Sequence, residues 1–197
     1  RPEVCYEVFV WYGALFASAR YFSRACDCVL AHMTGEILLA SFWQRLAFSG
    51  HDVGHNAITH NRATDLFWGT LVGNTFGGIS LEWWKRSHNV HHIVCNSIEN
   101  DPDIQHLPVM AVDSRMLGNY WSNYHKKYFT TDAIARFLVS YQHYMFYPIM
   151  ALARFNLYVQ GYIVLLNFKV RCNYRMLEIG CLGIFFFWNG LLLSTLS

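Results

Sequence analysis

Five of the ten histidines fall in two short clusters, His51-Asp-Val-Gly-His55 and His88-Asn-Val-His91-His92. A spacing of four puts His51 and His55 on one face of a helix, about 40° apart at 3.6 residues per turn. Spacings of three and four from His88 do the same for His91 and His92. Neutral imidazole is a ligand for iron, copper, zinc and nickel. If the two stripes hold metal between them, the fold must bring two histidine-bearing helices together. An isolated HxxxH is more often solvated or structural, whereas HxxHH is sharper. Both within 42 residues, flanked by apolar segments, point to a metal site.

The flanking segments place the chain in a membrane. Hydrophobic residues make up 54% and charged residues 14%, against roughly 25% charged in an average soluble domain. That excludes a disordered chain and disfavours a solvated globule. Fifteen Lys+Arg against thirteen Asp+Glu give a net +2, too balanced for nucleic-acid binding through bulk charge. Mean hydropathy is only +0.17, so uninterrupted spans do not fill the chain. The expectation is an all-α, multi-pass membrane protein with a large polar portion on one side.

Three spans are expected, at about 4–19, 28–48 and 176–196. The last carries a single charge, Glu178, and has the roughly 20 residues that a bilayer needs. The first two read as a helical hairpin turning at Arg20–Asp27. Residues 49–175 form the cytosolic or interfacial region. Within it the glycine-rich Leu66–Leu81 reads as interfacial or re-entrant, and 134–168 as one or two helices lying in the interface. Eleven of the fifteen basic residues lie between Gly50 and Arg175, which places that region in the cytosol by the positive-inside tendency. The six cysteines contain no CxxC pair, so reduced thiols are expected, with neither a disulfide framework nor a thiolate zinc site. The chain starts at Arg1 and ends at Ser197 beside an apolar run, and reads as an internal part of a longer protein.

The number of imidazoles bears on the metal. A single zinc is saturated by three or four ligands, whereas five histidines from two clusters fit two metals sharing a site. Redox chemistry on an inert substrate beside a membrane favours iron.

Three stretches carry a resemblance: HDxGH at His51–His55, WWKxxHNxHH at Trp83–His92, and DPDxQHLP at Asp101–Pro108. With Phe137–Met150 and Ala153–Tyr158, they resemble the membrane fatty acid desaturase family, in its front-end branch with a fused cytochrome b5 domain. His91–Ser97 and the tyrosine-rich stretch are most similar to plant sphingolipid Δ8-desaturases, with Δ6 acyl-lipid desaturases close behind.

The resemblance implies a partial desaturase domain over 1–197 and a di-iron centre. His51, His55, His88, His91 and His92 would be its ligands, and His106 a further ligand or a neighbour of one. Asp52 and Asn89, beside these residues, are candidates to orient imidazole N–H groups. The implied reaction is oxygen-dependent desaturation of a sphingoid base or ceramide at Δ8, or of an acyl lipid at Δ6. Electrons would come from the cytochrome b5 haem and an NADH-cytochrome b5 reductase. The implied setting is the endoplasmic reticulum membrane, with the histidine boxes facing the cytosol. Phe76, Trp83 and Trp84 are candidates to line an alkyl tunnel, and acids such as Asp52, Asp101 and Asp103 to meet a sphingoid amine. The family's third box, QxxHH, and the HPGG haem motif do not occur in these 197 residues, so the chain by itself is expected to be inactive. Glu82 and Trp188-Asn-Gly190 depart from the family pattern. A membrane hydroxylase, a metal transporter and a non-catalytic relative are the other readings.

Overall fold

The computed structural model describes residues 2–25 and 28–194, without the side chains of residues 2–9, 23 and 25. The chain forms two compact units. One comprises Arg1–Leu81 with Phe168–Ser197, the other Glu82–Asn167.

In the first unit the expected hairpin forms from α1 (Pro2–Ala25) and α2 (Val29–Gly54). Arg20–Ala25, expected in the turn, stay helical in α1, while Cys26, Asp27 and the last residues of the third expected span lie outside the described residues. The Tyr12 hydroxyl ties the helices together by donating to the Arg45 carbonyl (2.9 Å) and pairing with Ser49 Oγ (2.6 Å). One turn along, Phe16 packs on Phe42 with ring centroids 5.5 Å apart. One expectation needs correction here. Cys28, at the start of α2, is disulfide-bonded, whereas Cys95, Cys172 and Cys181 are free thiols.

After α2 the chain enters α3 (Arg62–Trp68), whose first N–H groups are capped by Asn61 Oδ1. It continues into a π-helical segment, Gly69–Gly77. Two glycines make the packing of this segment possible. A Cβ at Gly69 would lie 2.2 Å from Val53 Cγ1, and one at Gly78 would lie 2.4 Å from the Phe185 ring. Gly78 also has φ +70°, a conformation that costs glycine little. The end of a helix leaves carbonyls without intrahelical partners. Here two indoles supply donors, Trp188 Nε1 to the Thr75 carbonyl (2.8 Å) and Trp43 Nε1 to that of Phe76 (2.9 Å). The segment thus packs against α2 and α7 (Arg175–Leu193) and ends at the left-handed Gly78. Glu178, the lone charge of the third span, is buried and accepts a hydrogen bond from Ser80 Oγ. A buried carboxylate in an apolar helix requires such a partner.

The second unit begins with α4 (Leu81–Val94 in full) and is built on a small core of Leu107, Ala111, Met116, Tyr120 and Phe129. Here the all-helical expectation is corrected. β1 (Tyr120–Ser122) and β2 (Lys127–Phe129) form an antiparallel ribbon, with Tyr120 opposite Phe129 and Trp121 opposite Tyr128. Aromatic cross-strand pairs favour this pleated surface over a helix, and the Tyr120 and Phe129 rings stack at 5.2 Å. Gln142 clamps the loop above the ribbon, accepting from the Ala111 N–H (2.9 Å) and donating to its carbonyl (3.1 Å). Residues 134–168 form two helices, α5 (Ala133–Ser140), started by the Asp132 cap, and α6 (Gln142–Leu166). By length and composition, α6 and α7 are long and apolar enough to cross a membrane.

Candidate metal centre

The first box closes α2. His51 lies in its last turn, and His55 ends it with φ −88° and ψ 6°. Asn56 follows with φ +58°, a left-handed conformation that asparagine tolerates and that stops a helix. The i,i+4 spacing acts as the sequence implies, bringing the two rings to 4.5 Å between centroids. Asp52 Oδ1 lies 3.2 Å from His51 Nδ1, so the expected orienting partner is in reach.

A cavity of about 450 Å³ lies beside this box, walled by Tyr12, Leu46, Val53, Trp68, Gly69 and Val72 among others. Leu46, Ser49, Gly50 and Val53 recur at helical spacing on one face of α2. At 100° per residue, His51 and His55 occupy the opposite face. Neither histidine lines the cavity, and neither do Phe76, Trp83 or Trp84.

The second box lies on α4, which is also followed by a left-handed asparagine, Asn96 at φ +62°. His88, His91 and His92 share one side of the helix, and Trp84 stacks on the His88 ring at 4.5 Å. Nε2 of His88 and Nε2 of His92 lie 3.0 Å apart. The Nδ1 atoms of His88 and His91 are held from behind. His88 Nδ1 is 2.9 Å from Asp103 Oδ2, and His91 Nδ1 is 2.8 Å from Asp101 Oδ2. His91 presents its Nε2 toward Cys95 Sγ, at 3.6 Å.

The loop after α4 places these carboxylates. Asp101 is fully buried. Its Oδ2 also accepts from the Asn96 N–H (2.8 Å), and its Oδ1 from the Asp103 N–H (2.9 Å). Gln105 pins the same loop by donating to the Ile98 carbonyl (2.7 Å) and accepting from Ser122 Oγ (2.7 Å). Asp101 is therefore committed to His91 and to backbone N–H groups, and Asp103 faces His88. His106 is exposed. Its backbone carbonyl accepts from Val109 and Met110, and among the described residues its ring joins neither histidine cluster. Asn89 is exposed as well. Asp101 and Asp103 are the carboxylates that stand beside second-box imidazoles. Their signal was the DPD triplet, readable only once the loop is seen to return to α4.

The donor set fits a nitrogen-liking metal. An Nδ1–H directed to a carboxylate leaves the Nε2 lone pair facing outward. Two nitrogens at about 2.1 Å from one ion and at right angles lie about 3.0 Å apart, as the Nε2 atoms of His88 and His92 do.

The family model for fatty acid desaturases matches residues 29–196. The acyl-lipid (9-3)-desaturase of Borago officinalis is 41% identical over 197 residues, covering all of this chain and 44% of that protein. The Delta(8)-fatty-acid desaturase 1 of Arabidopsis thaliana is 40% identical over 196 residues, covering 100% of this chain and 43% of its own length. The Delta 8-(E)-sphingolipid desaturase of Komagataella phaffii is 52% identical over 122 residues, 62% of this chain and 22% of that protein. The chain thus spans under half the length of these curated relatives. No solved structure matches it. Two imidazole stripes on helices, a nitrogen donor set backed by carboxylates, and a family match over 29–196 lead to one assignment: the chain belongs to the fatty acid desaturase family.

Proposed function

We propose that this chain is the two-box portion of an oxygen-dependent membrane desaturase acting on the alkyl chain of a lipid. The observation that carries the reading is the second box, where carboxylates back His88 and His91 and the Nε2 atoms of His88 and His92 lie 3.0 Å apart. His51, His55, His88, His91 and His92 would hold a di-iron centre. Bound iron would supply the oxidising power to remove two hydrogens from adjacent methylenes, with O₂ as the oxidant.

The chain's own residues do the rest. Asp52, Asp101 and Asp103 keep N–H groups on the Nδ1 side of their histidines, so that Nε2 lone pairs meet the metal. Trp84 holds the plane of His88 by stacking. The left-handed Asn56 and Asn96 end each box helix just beyond its histidines, which keeps the rings on the last rigid turns. Fixing a featureless chain so that one methylene pair meets the centre is where an enzyme gains most against an unactivated C–H bond.

The family and the apolar helices support a membrane setting. We place the protein in the endoplasmic reticulum membrane with both boxes on the cytosolic side. Electrons would come from a cytochrome b5 haem and its NADH reductase, and the remaining ligands from a QxxHH box. The favoured substrate is a sphingoid base or ceramide desaturated at Δ8, in line with the name of the Komagataella sphingolipid desaturase, the Arabidopsis name supporting the Δ8 position alone. Desaturation of an acyl lipid is the second reading, favoured by the Borago relative. The test is product analysis with the full-length protein carrying intact boxes or His91→Ala. Loss of the new double bond with unchanged membrane insertion is the expected result. Wild-type product from the variant would refute the ligand assignment.

A further inference from the structure

The loop after α4 contains two carboxylates that the ligand set does not use, each bonded to the inner nitrogen of a different box histidine. We infer that Asp103 and Asp101 are positioning residues that set the metal affinity of the second box, Asp103 through His88 and Asp101 through His91. The inference rests on the reading that this box binds metal.

Geometry separates the two. Asp103 Oδ2 lies 2.9 Å from His88 Nδ1, and its side chain is 32% exposed. Asp101 is buried and holds the Asn96 and Asp103 N–H groups as well as His91. Asp101 thus has a structural duty that does not depend on metal, whereas the Asp103 carboxylate hydrogen-bonds only His88 among the described residues. A neutral imidazole carries one N–H. A carboxylate facing Nδ1 fixes that proton there, leaves Nε2 as the donor atom, and raises its basicity. An asparagine in the same place keeps the size, removes the charge, and can turn its NH₂ toward the ring, which drives the proton to Nε2 and blocks the metal. Such partners of metal-bound histidines are typically worth about 10–100-fold in metal affinity.

The test is a Co²⁺ titration of the full-length, metal-free protein in nanodiscs, following the ligand-field absorption, with thermal unfolding of the metal-free form alongside. Asp103→Asn should weaken Co²⁺ binding by about 10–100-fold, leave metal-free unfolding unchanged, and be largely rescued by Asp103→Glu. Asp101→Asn should weaken Co²⁺ binding and also lower the unfolding temperature. His88→Ala serves as the reference. If His88→Ala loses Co²⁺ but Asp103→Asn binds it like the wild type, the positioning role is overturned while the metal reading stands. If His88→Ala itself binds Co²⁺ with wild-type affinity and spectrum, the metal reading fails and takes this inference with it.

Discussion

Nε2 of His88 and Nε2 of His92 meet at 3.0 Å on one face of α4. Two neutral imidazoles at that distance share one proton at best, and an ion between them satisfies both lone pairs. Replacing either by alanine in the full-length protein should weaken iron binding more than tenfold, since removing even an outer partner of a metal ligand costs that much. Iron content of the purified variants checks this. His60 provides the contrast. It is exposed at φ +58°, so His60→Asn, which tolerates that backbone, should keep wild-type iron and turnover.

Gly78 is expected to accept no side chain. A Cβ there would enter the Phe185 ring at 2.4 Å, at a φ of +70°. Gly78→Ala should cost about 1–3 kcal/mol from overpacking alone, with backbone strain added. Thermal unfolding in detergent measures it. Phe185→Leu in the same chain should recover part of the loss but not the share due to φ.

These two cases show what was legible in the sequence and what was not. Histidine spacing gave the faces of α2 and α4 because helical periodicity is local. The hairpin and the third helix were readable from apolar run length. Asp52 was readable as a partner because it adjoins His51. Asp101 and Asp103 were not, since they lie 10 and 15 residues from the histidines they serve. Only the loop fixed by Gln105 and Asn96 returns them to α4. The ribbon at Tyr120–Phe129 was missed because its strands are three residues each, too short for an alternating pattern to register. The π-helical Gly69–Gly77 was seen only as a glycine-rich apolar segment, because its carbonyl partners are indoles from α2 and α7.

Those indoles make a further prediction. Trp188→Phe keeps the apolar ring but leaves the Thr75 carbonyl without its donor. The expected loss is about 0.5–1.5 kcal/mol, the net worth of a hydrogen bond. Trp43→Phe should cost less, because its bond to the Phe76 carbonyl is solvent-exposed. Unfolding midpoints of the two single variants and the double variant check this, and near-additive losses would show two independent bonds.

The ribbon carries a pH dependence. Partial burial, and then the Lys127 ammonium, hold the His125 imidazole below its ordinary value of 6.5. As pH falls through 6.5 the unfolded chain takes up this proton before the folded one does. The stability that His125 contributes is therefore complete above about 6.5 and declines as pH drops toward the folded value. Thermal unfolding between pH 8 and 5 should show a steeper acid loss for the wild type than for His125→Gln. Equal slopes would contradict the assignment.

The most direct measurement of the central claim is lipid analysis of a yeast that lacks Δ8 desaturation and expresses the full-length protein, with or without His91→Ala. The account predicts Δ8-unsaturated long-chain bases from the wild-type protein and none from the variant. Hydroxylated chains in place of alkenes, or no new double bond in any lipid from an iron-loaded protein, would contradict it.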